Sequence, residues 1–230
     1  MNKTTIIAHR GASGKAPENT LAAFKAALHI KVDAIECDVQ KCRSGQLVVI
    51  HDRQLKRITG KRGKVRKTKL ATLRKFDAGN GEKIPTLKEV LELIDARVSI
   101  NIEIKSRRTA VSLAQMIRNS IRTGPWKTED FFISSFYYRE LRRFHELFPE
   151  IPIALLYNKK PKRLKKRIKV LRPFAASLNV KYIRTPWIRR VHDHGLKVYV
   201  WTVDDTRIAR QLQNEKVDGF FTNYPDRFTK

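Results

Sequence analysis

The sequence predicts an α/β protein, a TIM-type (β/α)8 barrel formed by one domain over residues 1–230. Three observations carry this expectation. Strand-like and helix-like patterns alternate from end to end, as parallel βα units do. A chain of 230 residues is long enough for one such barrel. Titratable side chains recur where strand patterns stop, the rim at which barrel enzymes keep their chemistry.

Short apolar runs predict strands at Thr4–Ala8, Ala34–Val39, Leu47–Ile50, Val98–Ile104, Phe131–Ser134, Ile153–Leu156, Ala175–Leu178, Lys197–Trp201 and Gly219–Thr222. That is one strand more than the barrel needs. Between them run stripes at helical spacing, each of which would bury one face. These are Leu21, Phe24 and Leu28; Leu87, Val90, Leu91 and Ile94; Ala110, Ala114, Ile117 and Ile121; Leu141, Phe144 and Phe148; Leu164, Ile168 and Leu171; Ile208 and Leu212. Asn19-Thr20 and Thr86 stand where helix caps are needed.

Two segments break the rhythm. Residues 53–83 contain Gly60, Gly63, Gly79 and Gly81, and eleven Lys/Arg without one acid between Arg53 and Lys75; they read as an inserted loop or small subdomain after the second strand region. Lys159 to Arg172 holds nine Lys/Arg in fourteen positions, interleaved with an apolar stripe, and reads as an amphipathic helix. Only seven residues follow Asn223, so a final helix is expected to be missing or rudimentary.

Composition narrows the class. Apolar residues make up 41% and charged residues 31%, enough for a core and against global disorder. The excess of 49 Lys+Arg over 22 Asp+Glu gives a formal charge of +27, so an anionic partner is expected: a phosphate-bearing substrate, an anionic membrane or nucleic acid. Met1–Ile7 fits neither a signal peptide nor a spanning helix. Cys37 and Cys42 make no disulfide framework, and a reducing, cytoplasmic setting is expected.

The chemistry-bearing residues sit at strand ends. His9-Arg10-Gly11 follows the first apolar run; it is either a surface histidine before a turn or part of the rim. Glu36 and Asp38 are two apart in a strand, so their carboxylates share a face and repel unless a hard cation joins them. A solvated strand face is the alternative, disfavoured by flanking Ala34, Ile35 and Val39. In Ser99–Lys105 three isoleucines alternate with Asn101, Glu103 and Lys105, which turns the polar set inward if the isoleucines meet helices. An edge strand or a structural Glu103–Lys105 ion pair would read the same. His51-Asp52 ends another apolar run and could work as an acid or base, or simply be a hydrogen-bonded histidine. Trp201 closes its strand as a core residue or a pocket wall. His29, His145, His192 and His194 have no carboxylate at ligand spacing.

In order, His9-Arg10-Gly11, Pro17-Glu18-Asn19-Thr20, Glu36-x-Asp38, His51-Asp52, Ile84-Pro85-Thr86-Leu87, Glu103-x-Lys105, Trp201-Thr202 and Asp218-Gly219 resemble the glycerophosphodiester phosphodiesterase family across nearly the whole chain. The resemblance implies a TIM-type barrel with an insertion after the second histidine. It further implies one divalent ion, Ca²⁺ or Mg²⁺, held by Glu36, Asp38 and Glu103. His9 and His51 would be the acid/base pair, Arg10 and Lys105 would grip phosphate, and Trp201 would line the alcohol side. The activity implied is hydrolysis of glycerophosphodiesters to an alcohol and glycerol 3-phosphate. A lysophospholipase D acting on membrane lysolipids would use the same residues, and the basic run could make peripheral contact with an anionic membrane. A basic nucleic-acid-binding barrel is the non-enzymatic alternative. Against it, aromatic interleaving in the basic runs is confined to Phe76 and no recognition signature is present.

Overall fold

A computed structural model describes residues 3–229; Met1 and Asn2, part of the N-terminal segment considered above, lie outside them, as does Lys230. The strands are β1 (Thr5–Ala8), β2 (Ala34–Lys41), β3 (Leu47–Val49), β4 (Ser99–Ile104), β5 (Phe131–Ser135), β6 (Ile153–Tyr157), β7 (Ala175–Asn179), β8 (Lys197–Trp201) and β9 (Gly219–Thr222). The helices are α1 (Leu21–Ile30), α2 (Lys56–Thr59), α3 (Leu70–Leu73), α4 (Leu87–Ile94), α5 (Ala110–Thr123), α6 (Tyr138–Leu147), α7 (Leu164–Leu171), α8 (Thr185–His192) and α9 (Thr206–Asn214).

Eight strands run parallel in the order β1-β9-β8-β7-β6-β5-β4-β2, and β1 pairs with β2 to close the barrel. The ninth, β3, returns antiparallel on the far half of β2, with Val39 opposite Val49. The extra strand is therefore a hairpin arm outside the parallel set. It lays the segment that follows it back over the barrel rim.

Period-two alternation sorts the strand residues. Ile35, Cys37, Val39, Ile100, Ile102 and Ile104 belong to the large cluster shared with the helices. Inside the barrel, Ile7, Ala34, Phe132, Ala154, Ala175, Tyr199 and Phe221 form a separate apolar floor. Two residues further along the same strand faces stand His9, Glu36, Ser134, Leu156 and Trp201, which line an open pocket. The floor excludes water from below and the next layer can afford polarity because it faces the cavity.

The insertion has an apolar cluster of its own: Cys42, Val48, Ile50, Leu55, Val65, Leu73, Ala78 and Ile84. It holds α2, a 3-10 turn at Val65–Lys67 and α3 on the β3 side of the barrel.

Four expectations needed correction. Helix α8 was not foreseen: its stripe is only Ile188 and Val191, both buried, although Pro186 in the first turn is a start signal. Ile208 is exposed, and α9 instead buries Ala209 and Leu212. The second basic run is helical only over Leu164–Leu171, with Pro161 in the loop before it, so Lys159–Arg163 are not part of the amphipathic face. Of the paired caps, Thr20 caps α1 while Asn19 points to Asp38. Thr86 forms a full capping box with Glu89. A 3-10 turn at Pro225–Arg227 follows β9 where a last helix was expected to be rudimentary.

Candidate active site

Gly11 lets β1 deliver its motif. Its φ of +77° and a virtual Cβ only 2.6 Å from the Ala23 carbonyl carbon leave room for no side chain. Arg10 just before it is also left-handed, at φ 57°, an uncommon conformation for a side-chain-bearing residue. The turn aims the Arg10 backbone N–H at Glu36 Oε2, 2.8 Å away. The guanidinium meets Glu18 at 2.9 Å and lies 3.1 Å from Asp38 Oδ2, although that Nε–H is out of line for a hydrogen bond.

Strands β2 and β4 are neighbours in register, with Glu36 opposite Asn101 and Asp38 opposite Glu103. This brings oxygens of Glu36, Asp38 and Glu103 within 4.8 Å of one another. Asn19 steadies the middle one, donating to Asp38 Oδ2 at 2.9 Å and accepting from the Asp38 N–H at 3.1 Å. Burial and the neighbouring carboxylates push Glu36 well above the ordinary range. Burial likewise lifts Glu103 to about 7, against the pull of Lys105. Burial also opposes ionisation of Asp38, but Arg10 and Lys105 hold it below its ordinary value. Glu36 Oε1 and Asp38 Oδ1 are buried without a hydrogen-bond donor. Two orphaned carboxylate oxygens facing a third acid match the oxygen donors that hard cations take. The structural Glu103–Lys105 pair is also present, at 2.8 Å, with Lys105 3.7 Å from Asp38.

Both histidines line the same pocket as this cluster. His9 Nδ1 is 2.8 Å from Asn223 Oδ1. That oxygen also accepts from Ser13, and the Asn223 amide donates to Asp204 Oδ2 at 2.7 Å, which fixes its orientation. Nδ1 of His9 must then carry the proton, leaving Nε2 for substrate. His51 Nδ1 lies 2.6 Å from Asp52 Oδ1, again leaving Nε2 free. Burial and then Arg10 lower His9 to about 4. Burial is also the main cause lowering His51, aided by Lys105 and Arg10 and opposed by Asp38 and Asp52. Arg57, from α2, grips both Asp52 at 2.6 Å and Glu18 at 2.8 Å. Its hydrogen bonds, with that from His51, hold Asp52 near 2.

A pocket of about 410 Å³ opens over these groups. Of the eight residues singled out from sequence, His9, Arg10, Glu36, His51, Glu103, Lys105 and Trp201 line it, and Asp38 lies buried beside them. Trp201 stands edge-on to Phe136 at 5.6 Å, and its Nε1–H has no acceptor. Sequence reasoning missed Phe136, Asn158 and Asn179 in the lining. Each follows or ends a barrel strand, and a polar or aromatic residue at that position was the available signal. It also missed the orienting residues Asn223, Asp204 and Arg57, for which no local signal exists. His192 pairs with Asp218 at 2.9 Å, so the Asp218-Gly219 motif is tied to the α8–β8 region rather than to the pocket.

A closed parallel barrel with acids, histidines and phosphate-matched cations on one rim defines a phosphodiester-cleaving hydrolase. The profile of the glycerophosphoryl diester phosphodiesterase family matches residues 9–227. A glycerophosphodiester phosphodiesterase of Caldanaerobacter subterraneus is 37% identical, covering 97% of this chain and 96% of the relative. The phosphodiesterase of Oleispira antarctica, solved with its product sn-glycerol-3-phosphate, superposes with TM-score 0.89 at 30% identity, over 97% of this chain and 94% of that one. The glycerophosphodiester phosphodiesterase structure from Agrobacterium tumefaciens gives 0.85 at 29%, covering 99% of each chain. The chain belongs to the glycerophosphoryl diester phosphodiesterase family, enzymes that hydrolyse glycerophosphodiesters. Among the described residues no helix is long and apolar enough to cross a membrane.

Proposed function

We propose that this enzyme hydrolyses glycerophosphodiesters to an alcohol and glycerol 3-phosphate with one divalent ion, Ca²⁺ or Mg²⁺, held by Glu36, Asp38 and Glu103. The observation that carries the reading is the pair of unpartnered carboxylate oxygens in one site with two histidines whose Nε2 atoms are free. An all-oxygen donor set suits these hard ions rather than Zn²⁺. The ion, when bound, neutralises charge that builds on the non-bridging phosphate oxygens.

The side chains do the rest. Arg10 and Lys105 hold the phosphate as cations aimed at developing charge. His51 takes the proton of the attacking hydroxyl on Nε2, since its carboxylate partner Asp52 stabilises the imidazolium. His9, whose Nε2 takes up a proton as the anionic phosphate enters beside it, gives that proton to the departing alkoxide oxygen. Trp201 and Phe136 pack the carbon skeleton, and the unpaired Trp201 Nε1–H offers a donor to a hydroxyl. Whether water or the substrate's own 2-hydroxyl attacks is separated by a diester lacking that hydroxyl: only the water mechanism turns it over.

The testing experiment measures glycerol 3-phosphate release from a panel of soluble diesters and lysophosphatidate release from micellar lysolipid, in EDTA and with each metal restored. Activity confined to lysolipid would replace the reading with a lysophospholipase D, and metal-independent activity would remove the ion. The basic face of α7 is proposed to touch anionic bilayers, each cation contributing on the order of 1 kcal/mol near the surface. Equal binding of wild type and Lys165, Lys166 and Lys169→Gln protein to phosphatidylserine vesicles would end that proposal.

A further inference from the structure

The active-site pocket is one of two compartments that meet at the same residues. His51, Glu103, Lys105 and Phe136 line both the 410 Å³ pocket and a second cleft of about 920 Å³. Beyond that junction the two differ in charge. The first holds His9, Glu36 and Arg10, the last paired with Glu18 and Asp38, and continues over Ser134, Asn158, Asn179 and Trp201, none of these four ionised. The second continues over Arg53, Gln54, Lys56 and Tyr137, together with the Asp52–Arg57 pair.

That pair is internally neutralised, because Arg57 spends its charge on Asp52 and Glu18. Arg53 and Lys56 have no ion-pair partner among the described residues. Arg53 is held with its guanidinium 5.6 Å from the Tyr137 ring centroid, a contact that props it at the cleft wall and leaves its N–H donors open. A phosphodiester has two ester arms diverging from one phosphate. With the phosphate at the junction, one arm enters the smaller compartment, whose cation Arg10 is already paired, and the other a larger one carrying two unmatched cations.

We propose that this cleft is a subsite for a second phosphate, carried on the alcohol arm of the substrate, so that the enzyme prefers glycerophosphodiesters whose alcohol is itself phosphorylated. The inference rests on the diesterase reading above and adds to it a charge preference set by Arg53 and Lys56. The smaller compartment takes the glycerol arm, and the basic insertion becomes the part that selects the other arm.

The experiment measures kcat/KM at fixed ionic strength for four diesters: glycerophosphocholine, glycerophosphoglycerol, glycerophosphoglycerol with a terminal phosphate, and a glycerol phosphate trimer. The last two separate a phosphomonoester from an internal diester as the second anion. Wild type is expected to favour a phosphate-bearing arm over glycerophosphoglycerol by about tenfold or more, as charge-assisted contacts allow. Arg53→Gln with Lys56→Gln should abolish that preference and change glycerophosphoglycerol turnover less than about twofold. Lys165→Gln with Lys166→Gln removes the same charge from the exposed face of α7 and should leave the preference intact. No preference in wild type, or equal loss in both double variants, overturns the subsite and leaves the diesterase reading standing. Failure to cleave any of the four with metal present overturns both.

Discussion

His9 and His51 present the same atom to the same pocket but are held there differently. His9 is oriented by the barrel frame: a neutral amide, Asn223, which is locked by Ser13 and Asp204 at the end of β9. His51 is oriented by charge: Asp52, clamped by Arg57 from the insertion, which also reaches Glu18 on the loop after β1. One histidine inherits its geometry from the closure of the barrel, the other from ion pairs at a more open edge. The first arrangement is insensitive to salt and tolerates no shift of scaffold; the second is adjustable and screened by ions.

The largest expected effect acts on both at once. Chelation should remove nearly all turnover, and Ca²⁺ or Mg²⁺ should restore it, because three buried carboxylates without a cation repel and disorder the centre. Glu36→Gln should weaken metal affinity more than thermal stability. Full activity under excess chelator would mean the histidines act without the ion between them.

Next come the histidines themselves. His9→Ala and His51→Ala should each lower kcat by roughly 10² to 10⁴ while the circular dichroism spectrum and metal affinity stay near wild type. Near-normal turnover in one of them would reduce the pair to a single catalytic group.

The orienting residues should divide by mechanism. Asn223→Ala should cost about tenfold in kcat at any ionic strength, since it frees the His9 ring to rotate. Arg57→Gln should cost about three- to tenfold at low salt, with the gap to wild type narrowing toward 0.5 M salt as the clamp is screened. If both deficits respond to salt alike, the contrast between frame and charge is lost.

The smallest effects are on stability. His9 sits near 4 when folded and at 6.5 as a free imidazole, so between those values the unfolded chain binds the extra proton and stability rises with pH. Wild type should lose about 3 kcal/mol from this group as pH falls through that window, a slope that His9→Gln removes. Asp52, near 2 when folded against 3.8, contributes above the ordinary carboxylate range and loses its share lower, as pH falls toward 2. Its exposure limits that share to about 1 kcal/mol, absent in Asp52→Asn. Urea unfolding midpoints from pH 7 to 2, in chelator, read both.

Much of this was legible in the chain. All nine strands were visible because alternation is a local property, and inward Asn101, Glu103 and Lys105 followed from the isoleucines between them. Helix α8 was not legible, since in eight residues only Ile188 and Val191 are three apart on a buried face, with Trp187 beside them, and that makes too thin a stripe. The resemblance attached the extra strand to the insertion, but its antiparallel pairing on β2 was not legible, because pairing direction depends on a partner the run itself does not contain.

By itself, the sequence determined the strand periods, the polar residues waiting at strand ends and the large cationic excess, all of which need only neighbours a few positions away. Tertiary structure alone decided which nitrogen of each histidine is free, which carboxylate oxygens stay without donors and where the insertion's unmatched cations point. Those depend on contacts such as His9 with Asn223, separated by 214 positions, and no local pattern encodes a hydrogen bond that exists only once the barrel has closed.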